Sequence, residues 1–189
     1  MIDKTKSHPD LEAAKAYALQ RLKDELAYRT YYHSAWHTED EVLPQVEWLI
    51  EREGLSDRAS LWVRTAAVYH DLGFIEDGRN HESISAQLAV ETLPQFGFTS
   101  TDIRWITRII MATRLPQTAR TLPEQILADA DLDVLGRSDF MSRNSLLRAE
   151  LAACGTLFTD RQWFRSQLSF LESHRYFTTS ACALRGAGK

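Results

Sequence analysis

The stretch Ala66-Ala-Val-Tyr-His-Asp-Leu-Gly-Phe74 places a histidine–aspartate pair at the end of an apolar helical segment. The positions that lead to the pair recur at steps of three and four residues: Ala59, Trp62, Val63, Ala66 and His70. His70 therefore falls on the buried stripe of a helix. A buried imidazole followed by a carboxylate must be satisfied by a hydrogen bond or by a metal ion. An isolated pair of this kind more often makes a structural hydrogen bond than binds a metal ion. The other polar clusters of the chain decide between these two roles.

The rest of the chain also has the pattern of successive helices, without a convincing alternating strand or an internal repeat. We therefore predict an all-α fold of about seven or eight helices in a single domain, residues 1–189. Its motif-bearing core covers about 31–135. An N-terminal helix over 10–28 and C-terminal helices over 138–173 are expected to pack on this core.

Capping residues give the expected helix boundaries. Gly54 should end one helix, Ser56 should cap the helix that carries His70, and Gly73 should stop that helix. Ser138 is expected to cap a later helix. The segment Thr121-Leu-Pro-Glu124 matches a capping box, which predicts a helix that continues through residue 135.

Composition excludes several classes of protein. The chain has 44% hydrophobic and 25% charged residues and a net charge of −4, so it lacks the basic surface of a nucleic-acid-binding protein. The hydrophilic N-terminus has no apolar signal core, and no segment is apolar enough for a membrane span. Cys154 and Cys182 lie outside any metal-binding motif. We expect a cytoplasmic protein with two free thiols.

A second polar cluster contains two histidines four residues apart, His33 and His37. They can share a helix face if a helix begins at Ser34. The segment from Thr38 to Glu41 also resembles a capping box, which would leave His37 just outside the helix. Both placements let His37 point inward at the end of an element.

The third cluster, Asn80-His-Glu82, lies at a predicted helix start. Asn80 is a plausible N-cap, and Glu82 in the first turn suits the helix dipole. This local explanation leaves His81 unexplained.

The fourth cluster, Asp129-Ala-Asp-Leu-Asp133, contains three carboxylates that helical spacing separates. Asp131 shares a stripe with apolar neighbours at steps of three and four: Leu127, Val134 and Leu135. Asp131 should therefore face the interior, where an unpaired carboxylate is costly. Asp129 and Asp133 fall on a face that is expected to be solvated.

Together, two imidazoles and two carboxylates come from three different helices: His37, His70, Asp71 and Asp131. Such a nitrogen and oxygen donor set suits one divalent ion, namely Mn, Fe, Co, Ni, Zn or Mg. Positions left open on the ion could take water and a substrate oxygen. Water activated in this way is a nucleophile for hydrolysis.

This ordered pattern resembles the HD superfamily of metal-dependent phosphohydrolases. The flanking motifs are similar as well: Tyr32-His33 with His37, the HDLG segment, HExxSA from His81, and DADLDVLG from Asp129. The resemblance implies a compact all-helical fold that hydrolyses phosphoester or phosphoanhydride bonds in nucleotides. It also implies that the metal ligands are His37, His70, Asp71 and Asp131.

The resemblance implies further roles for residues around the metal. His33 would protonate the leaving group, His81 and Glu82 would contact phosphate or orient water, and Arg114 would bind phosphate, although an exposed arginine is the plainer reading. The chain departs from the family pattern at Phe74, where several members have glutamate. It also lacks a histidine near Arg114, which favours one metal ion over two.

Three functions stay open at this level, beside a plain helical interaction domain, which would require all four polar clusters to be coincidental. The favoured one is a phosphohydrolase that acts on a small phosphorylated, nucleotide-like substrate. A non-catalytic module that binds a nucleotide or a metal would account for Phe74. A di-iron oxygenase on the same fold would need the missing histidine near Arg114. Substrate, metal identity and oligomeric state, including a homodimer, are not determined by these patterns.

Overall fold

The computed structural model describes residues 8–26, 28 and 30–189. Over these residues the chain forms no strand and nine α-helices: α1 (Leu11–Glu25), α2 (Leu43–Glu53), α3 (Asp57–Tyr69), α4 (His81–Thr92), α5 (Ser100–Met111), α6 (Leu122–Asp131), α7 (Phe140–Ala153), α8 (Asp160–Ser173) and α9 (Thr179–Arg185). A π-helical turn, His37–Val42, precedes α2. Short 3-10 turns follow three of the helices: Leu72–Ile75, Leu93–Phe96 and Asp133–Gly136. The expected all-α fold is confirmed, with nine α-helices over the described residues where about seven or eight were expected.

Helix α3 lies at the centre and packs against α1, α2, α5 and α6. Small and apolar side chains let its neighbours approach closely on several sides, and Val63, Ala66 and Ala67 are fully buried. The C-terminal end of α3 is therefore in the interior of the protein. This position carries His70 and Asp71 into the core.

Several predicted boundaries hold. Gly54 ends α2 in the left-handed conformation, with φ of 64°. Thr121 and Glu124 form the predicted capping box at the start of α6. Ser56 precedes α3 in an extended conformation, although its side chain makes no capping hydrogen bond.

Other boundaries differ from the prediction. Helix α1 ends at Glu25, short of residue 28, and α6 ends at Asp131 instead of continuing to residue 135. The guanidinium of Arg185 binds both carboxylate oxygens of Asp133 at 2.7 and 2.9 Å and holds the following 3-10 turn. Asp139, and not Ser138, precedes α7. The short helix α9 has no strong signal in the sequence.

Helices α7 and α8 pack on each other through polar contacts. The indole Nε1 of Trp163 donates to Asn144 Oδ1 at 2.8 Å, and the Asn144 amide donates to Gln167 at 2.5 Å. Trp163 is the single buried residue of α8. Helix α7 buries no apolar side chain, and its buried residues are all polar: Arg143, Asn144 and Glu150.

His174, which follows α8, should make stability depend on pH. Burial, together with the positive charges of Lys189 and Arg175, lowers the pKa of His174 to about 4. The unfolded chain, with the ordinary histidine pKa near 6.5, binds this proton more tightly than the folded protein does. The contribution of His174 to stability is therefore fully present above pH 6.5 and is lost as the pH falls toward 4.

We expect the free energy of unfolding to fall by about 1–2 kcal/mol over this range because of His174, after solvent screening is allowed for. Urea unfolding of metal-stripped protein at several pH values measures the effect. The variant His174→Gln, which does not titrate, should lose that part of the pH dependence. An identical pH profile for the variant and the unmodified protein would contradict the prediction.

Two further expectations concern the surface. The thiols of Cys154 and Cys182 are free, as predicted, and both residues are exposed. Among the residues that the structure describes, no helix is both long and apolar enough to cross a membrane.

Candidate metal centre

Four predicted side chains converge at the centre of the fold. His37 begins the π-helical turn, His70 and Asp71 follow α3, and Asp131 is the last residue of α6. Asp131 Oδ1 lies 3.4 Å from the Nε2 atom of His37 and 3.4 Å from that of His70. Asp71 Oδ2 lies 3.3 Å from His70 Nε2 and 3.9 Å from His37 Nε2. The fold thus brings together groups that are up to 94 residues apart in sequence.

Both histidines turn the same nitrogen toward the centre. His70 Nδ1 donates to the carbonyl of Ala67 at 2.7 Å, and His37 Nδ1 donates to Glu41 Oε2 at 3.0 Å. A hydrogen bond from Nδ1 fixes the tautomer and leaves the lone pair of Nε2 for a metal ion. The two Nε2 atoms can therefore coordinate the same metal ion.

A cation would satisfy the buried atoms of the cluster that lack hydrogen-bond partners. His70 Nε2 and Asp71 Oδ2 are buried and have no hydrogen-bond partner, which is unfavourable in a core. The candidate ligand atoms of His37, His70 and Asp131 lie within 4.8 Å of one another. Neighbouring donors at about 2.1 Å from one ion are roughly 3–3.5 Å apart. Donor types and spacing thus fit a divalent metal ion.

The charges of the cluster shift the pKa values of its members. Burial alone lowers the pKa of His70, but the carboxylates of Asp71 and Asp131 outweigh it and raise that pKa well above its usual value. For Asp71, burial raises the pKa, and the neighbouring His70 imidazolium lowers it well below its ordinary range. Without a cation the cluster holds protons on its imidazoles. Metal ions must compete with these protons, so metal affinity should rise with pH.

The predicted catalytic residues surround the cluster. His81 begins α4, and its Nε2 lies 3.6 Å from Asp71 Oδ1 and 3.7 Å from Glu82 Oε1. Arg114 Nε lies 3.6 Å from Glu82 Oε2, and the Arg114 guanidinium also donates to Ser83 Oγ at 3.0 Å. Arg114 is 45% exposed at its side chain. A cationic group therefore reaches solvent beside the cluster.

His33 also lies at the partly exposed edge of the cluster, which we call the opening, and its ring centroid is 6.0 Å from that of His81. Its ring stacks on Phe74 at a centroid distance of 4.0 Å, and Phe74 stacks on His81 at 4.1 Å. His33 Nδ1 makes a short hydrogen bond to Glu150 Oε1. The side chains of Asp131, His81 and His33 are 18, 19 and 21% exposed, so a small molecule could reach the cluster here.

Phe74 occupies the position where several HD proteins have glutamate, and it supplies packing in place of a carboxylate. Glu76 and Asp77, which follow it, are exposed. Glu82, by contrast, is buried next to His81. Glu82 is therefore a carboxylate outside the four-residue cluster that lies beside the opening.

The role predicted for Gly73 was wrong. Helix α3 already ends at Tyr69, and Gly73 lies inside the following 3-10 turn. A Cβ atom added to Gly73 would overlap the backbone carbonyl of His81 and lie 2.8 Å from its Cα. Ser85 Oγ donates to the carbonyl of His70 at 2.7 Å and accepts from the Gly73 amide at 2.8 Å. Glycine is needed here for the close approach of α4 to the end of α3.

Substitution Gly73→Ala should therefore separate α4 from the cluster. We expect the free energy of unfolding to fall by about 1–3 kcal/mol, as for other overpacked sites. Because Gly73 follows Asp71 by two residues and shares Ser85 with His70, a shift of this turn should also move candidate ligands and weaken metal binding. Urea unfolding measures the first effect and titration calorimetry the second. Unchanged stability in Gly73→Ala would show that the backbone contact is not restrictive.

Two of the three neighbouring aspartates were also placed wrongly. Asp129 and Asp133 were expected on a solvated face, but both are buried. Asp129 accepts hydrogen bonds from the amides of Phe177 and Thr178, both at 2.8 Å. Asp133 binds Arg185. Their partners lie more than 40 residues downstream, where helical phase gives no information.

The capping box expected between Thr38 and Glu41 does not form. The Thr38 hydroxyl has no hydrogen-bond partner, and Glu41 turns toward His37. Helical geometry begins at Ala35 instead, so His33 lies before the helix and His37 within it.

Several supporting residues were missed by the sequence patterns: Glu41, Ser85, Arg137, Arg143 and Glu150. Glu41 carried a usable signal, because it follows His37 by four residues and helical neighbours at that spacing are in contact. Arg143 and Glu150 are more than 100 residues from their partners and carried none.

Comparison with known proteins supports the fold. The chain matches no model of a known protein family and no curated protein. It is similar to the crystal structure of a protein from Lactobacillus plantarum, with a TM-score of 0.72, 20% identity, and coverage of 99% of this chain and 91% of that chain. It is also similar to a predicted HD superfamily hydrolase from an uncultured Thermotogales bacterium, with a TM-score of 0.60, 22% identity, and coverage of 89% and 90%. At these identities the likeness is one of fold. The protein therefore has an HD-like, all-helical fold with a His/His/Asp cluster at its centre.

Proposed function

We propose that this protein is a metal-dependent phosphohydrolase that cleaves a phosphoester or phosphoanhydride bond in a small, nucleotide-like substrate. The main support is the convergence of two imidazole Nε2 atoms and two carboxylates, with His70 Nε2 and Asp71 Oδ2 left without hydrogen-bond partners. The description of one similar structure as a predicted HD superfamily hydrolase points in the same direction.

In this proposal, His37, His70, Asp71 and Asp131 hold one divalent ion: Mn, Co, Ni, Fe, Mg or Zn. When bound, such an ion would polarise a phosphoryl oxygen and make a water molecule acidic enough to lose a proton near neutral pH. The groups that would transfer protons and bind the substrate belong to the side chains around the cluster.

Glu82 and His81 are the candidates for accepting the proton of the attacking water. They lie 3.7 Å apart, and His81 lies 3.6 Å from Asp71, so both border the cluster. A positioned base of this kind contributes about 10²–10⁴-fold to a rate. The guanidinium of Arg114, beside Glu82, would bind the phosphate charge, and the N-terminus of α4 favours an anion as well.

His33 is the candidate proton donor to the leaving oxygen. Glu150 engages its Nδ1 atom, which leaves Nε2 as the nitrogen free to meet a substrate. Phe74 packs against the His33 ring and keeps it at the opening. Protonation of the leaving oxygen lowers the cost of breaking its bond to phosphorus.

A second candidate function is a module that binds a nucleotide or a metal without turnover. Phe74 favours it, because an aromatic side chain fills the space between His33 and His81 where relatives of similar pattern have a carboxylate. An oxygenase with two irons is the third candidate.

The test is a screen of phosphorylated metabolites with metal-stripped protein, resupplied separately with Mn, Co, Ni, Mg and Zn. Metal-dependent cleavage of a phosphoester or phosphoanhydride bond, with one metal ion per chain, is the expected result. Nucleotides that raise the melting temperature but are never hydrolysed would favour the binding module and contradict the enzyme. Two irons per chain in the protein as purified, together with oxygen consumption, would establish the oxygenase instead.

A further inference from the structure

Glu41 lies behind His37, on the side that faces away from the other candidate ligands. Its Oε2 atom accepts a hydrogen bond from His37 Nδ1 at 3.0 Å, while the Nε2 atom of the same ring faces Asp131. Glu41 is only 8% exposed, so the carboxylate holds the ring in a largely water-free setting. A carboxylate in this place both orients an imidazole and makes it a stronger metal ligand.

Two arginines hold Glu41 in turn. The guanidinium of Arg143 donates to Glu41 Oε2 at 2.6 Å, and Arg137 forms an ion pair with Oε1 at 2.9 Å. Arg137 is itself fixed by Asp139 at 2.5–2.8 Å. A buried carboxylate needs such compensation, because an isolated buried charge is strongly unfavourable.

Arg143 belongs to α7, a helix that contributes none of the candidate metal ligands. Its guanidinium also lies 4.5 Å from the ring centroid of Trp36 and 5.0 Å from that of Tyr32. Glu150, two helical turns further along the same face, accepts from the backbone amide of Tyr32 at 2.8 Å. The buried polar face of α7 therefore contacts the segment that ends at His37.

We propose that Glu41 is a positioning residue for metal binding by His37, and that Arg143 and Arg137 keep it in place. Helix α7 thereby sets the metal affinity of a site to which it contributes no ligand. This inference rests on the proposed function, since it requires that the cluster bind a metal ion.

The test is the affinity of metal-stripped protein for Mn²⁺, measured by titration calorimetry. The nearly isosteric Glu41→Gln removes the charge, and we expect the Kd to rise about 10- to 100-fold, the usual cost of losing a partner of a metal ligand. Glu47→Gln is the matched control, because Glu47 also binds an arginine, Arg64, at 2.6 Å. Its Kd should equal that of the unmodified protein.

Variants of Arg143 test the same chain of contacts from α7. Arg143→Met should weaken Mn²⁺ binding, and Arg143→Lys, which keeps a positive charge beside Glu41, should recover part of the affinity. If Glu41→Gln does not fold, these two Arg143 variants still test the proposal. A purely structural role would lower the melting temperature of these variants without a matching change in the Kd of the folded protein.

A spectroscopic measurement isolates the hydrogen bond itself. In Co²⁺-loaded protein, the Nδ1 proton of a coordinated histidine gives a strongly shifted, exchangeable resonance. We expect the His37 signal to exchange faster with solvent in Glu41→Gln and to be unchanged in Glu47→Gln. An unmodified protein that binds neither ion overturns the proposed function and this inference together. Equal Kd values for Glu41→Gln and the unmodified protein overturn this inference alone.

Discussion

Replacement of His70 or Asp131 by alanine should abolish both metal binding and hydrolysis. Asp131 Oδ1 is within 3.4 Å of both histidine Nε2 atoms, and His70 Nε2 has no other role in the structure, since no hydrogen bond engages it. In the proposed site, each side chain would contact the bound ion directly. We expect affinity to fall by more than about 100-fold, because even the loss of an outer partner costs about 10- to 100-fold.

Titration calorimetry with the metal that supports activity measures the loss of metal binding. Substrate hydrolysis under saturating metal measures the loss of activity. The matched control is Asp133→Ala, two residues from Asp131, whose carboxylate binds Arg185 and not the histidines. It should lose some stability but keep its metal affinity. A His70→Ala or Asp131→Ala protein that is folded and fully active would rule out the proposed site.

Replacement of Asp129 by alanine should have the opposite pattern, a large loss of stability with metal affinity retained. Asp129 is 1% exposed, and its carboxylate accepts from the amides of Phe177 and Thr178 and from the Thr178 hydroxyl, the last at 2.7 Å. Removal leaves three donors without their partner. At about 1–3 kcal/mol for each buried donor left unsatisfied, with partial relief by water, we expect a loss of roughly 3 kcal/mol.

Urea unfolding measures the total loss, and hydrogen exchange of the Phe177 and Thr178 amides shows where it occurs. Because Asp129 holds the start of α9, these amides should lose protection first. Asp129→Asn keeps one acceptor oxygen and should lose less stability than Asp129→Ala. If the alanine variant is as stable as the unmodified protein, the solvated position first expected for Asp129 would be the better description.

Asp129, Asp131 and Asp133 show which positions the sequence places correctly and which it does not. Helical phase from Leu127 placed Asp131 toward the interior, and Asp131 does face His37 and His70, although α6 ends at Asp131, before Val134 and Leu135, and its side chain is 18% exposed. The same reasoning placed Asp129 and Asp133 outside, because their partners Thr178 and Arg185 come from a short helix that has no periodic signal of its own. Phase predicts which face a residue occupies, but it does not predict what covers that face.

Local patterns determined the all-helical fold, some of its caps, and the four side chains that the interior must satisfy: His37, His70, Asp71 and Asp131. These features depend on residues three or four positions apart, so the sequence alone carries them. The tertiary structure decided the rest. It joined His37 to Asp131 across 94 residues, placed Phe74 between two histidines, and set Glu41 and the arginines of α7 behind the cluster. Such contacts arise from how helices pack, and no spacing along the chain encodes them.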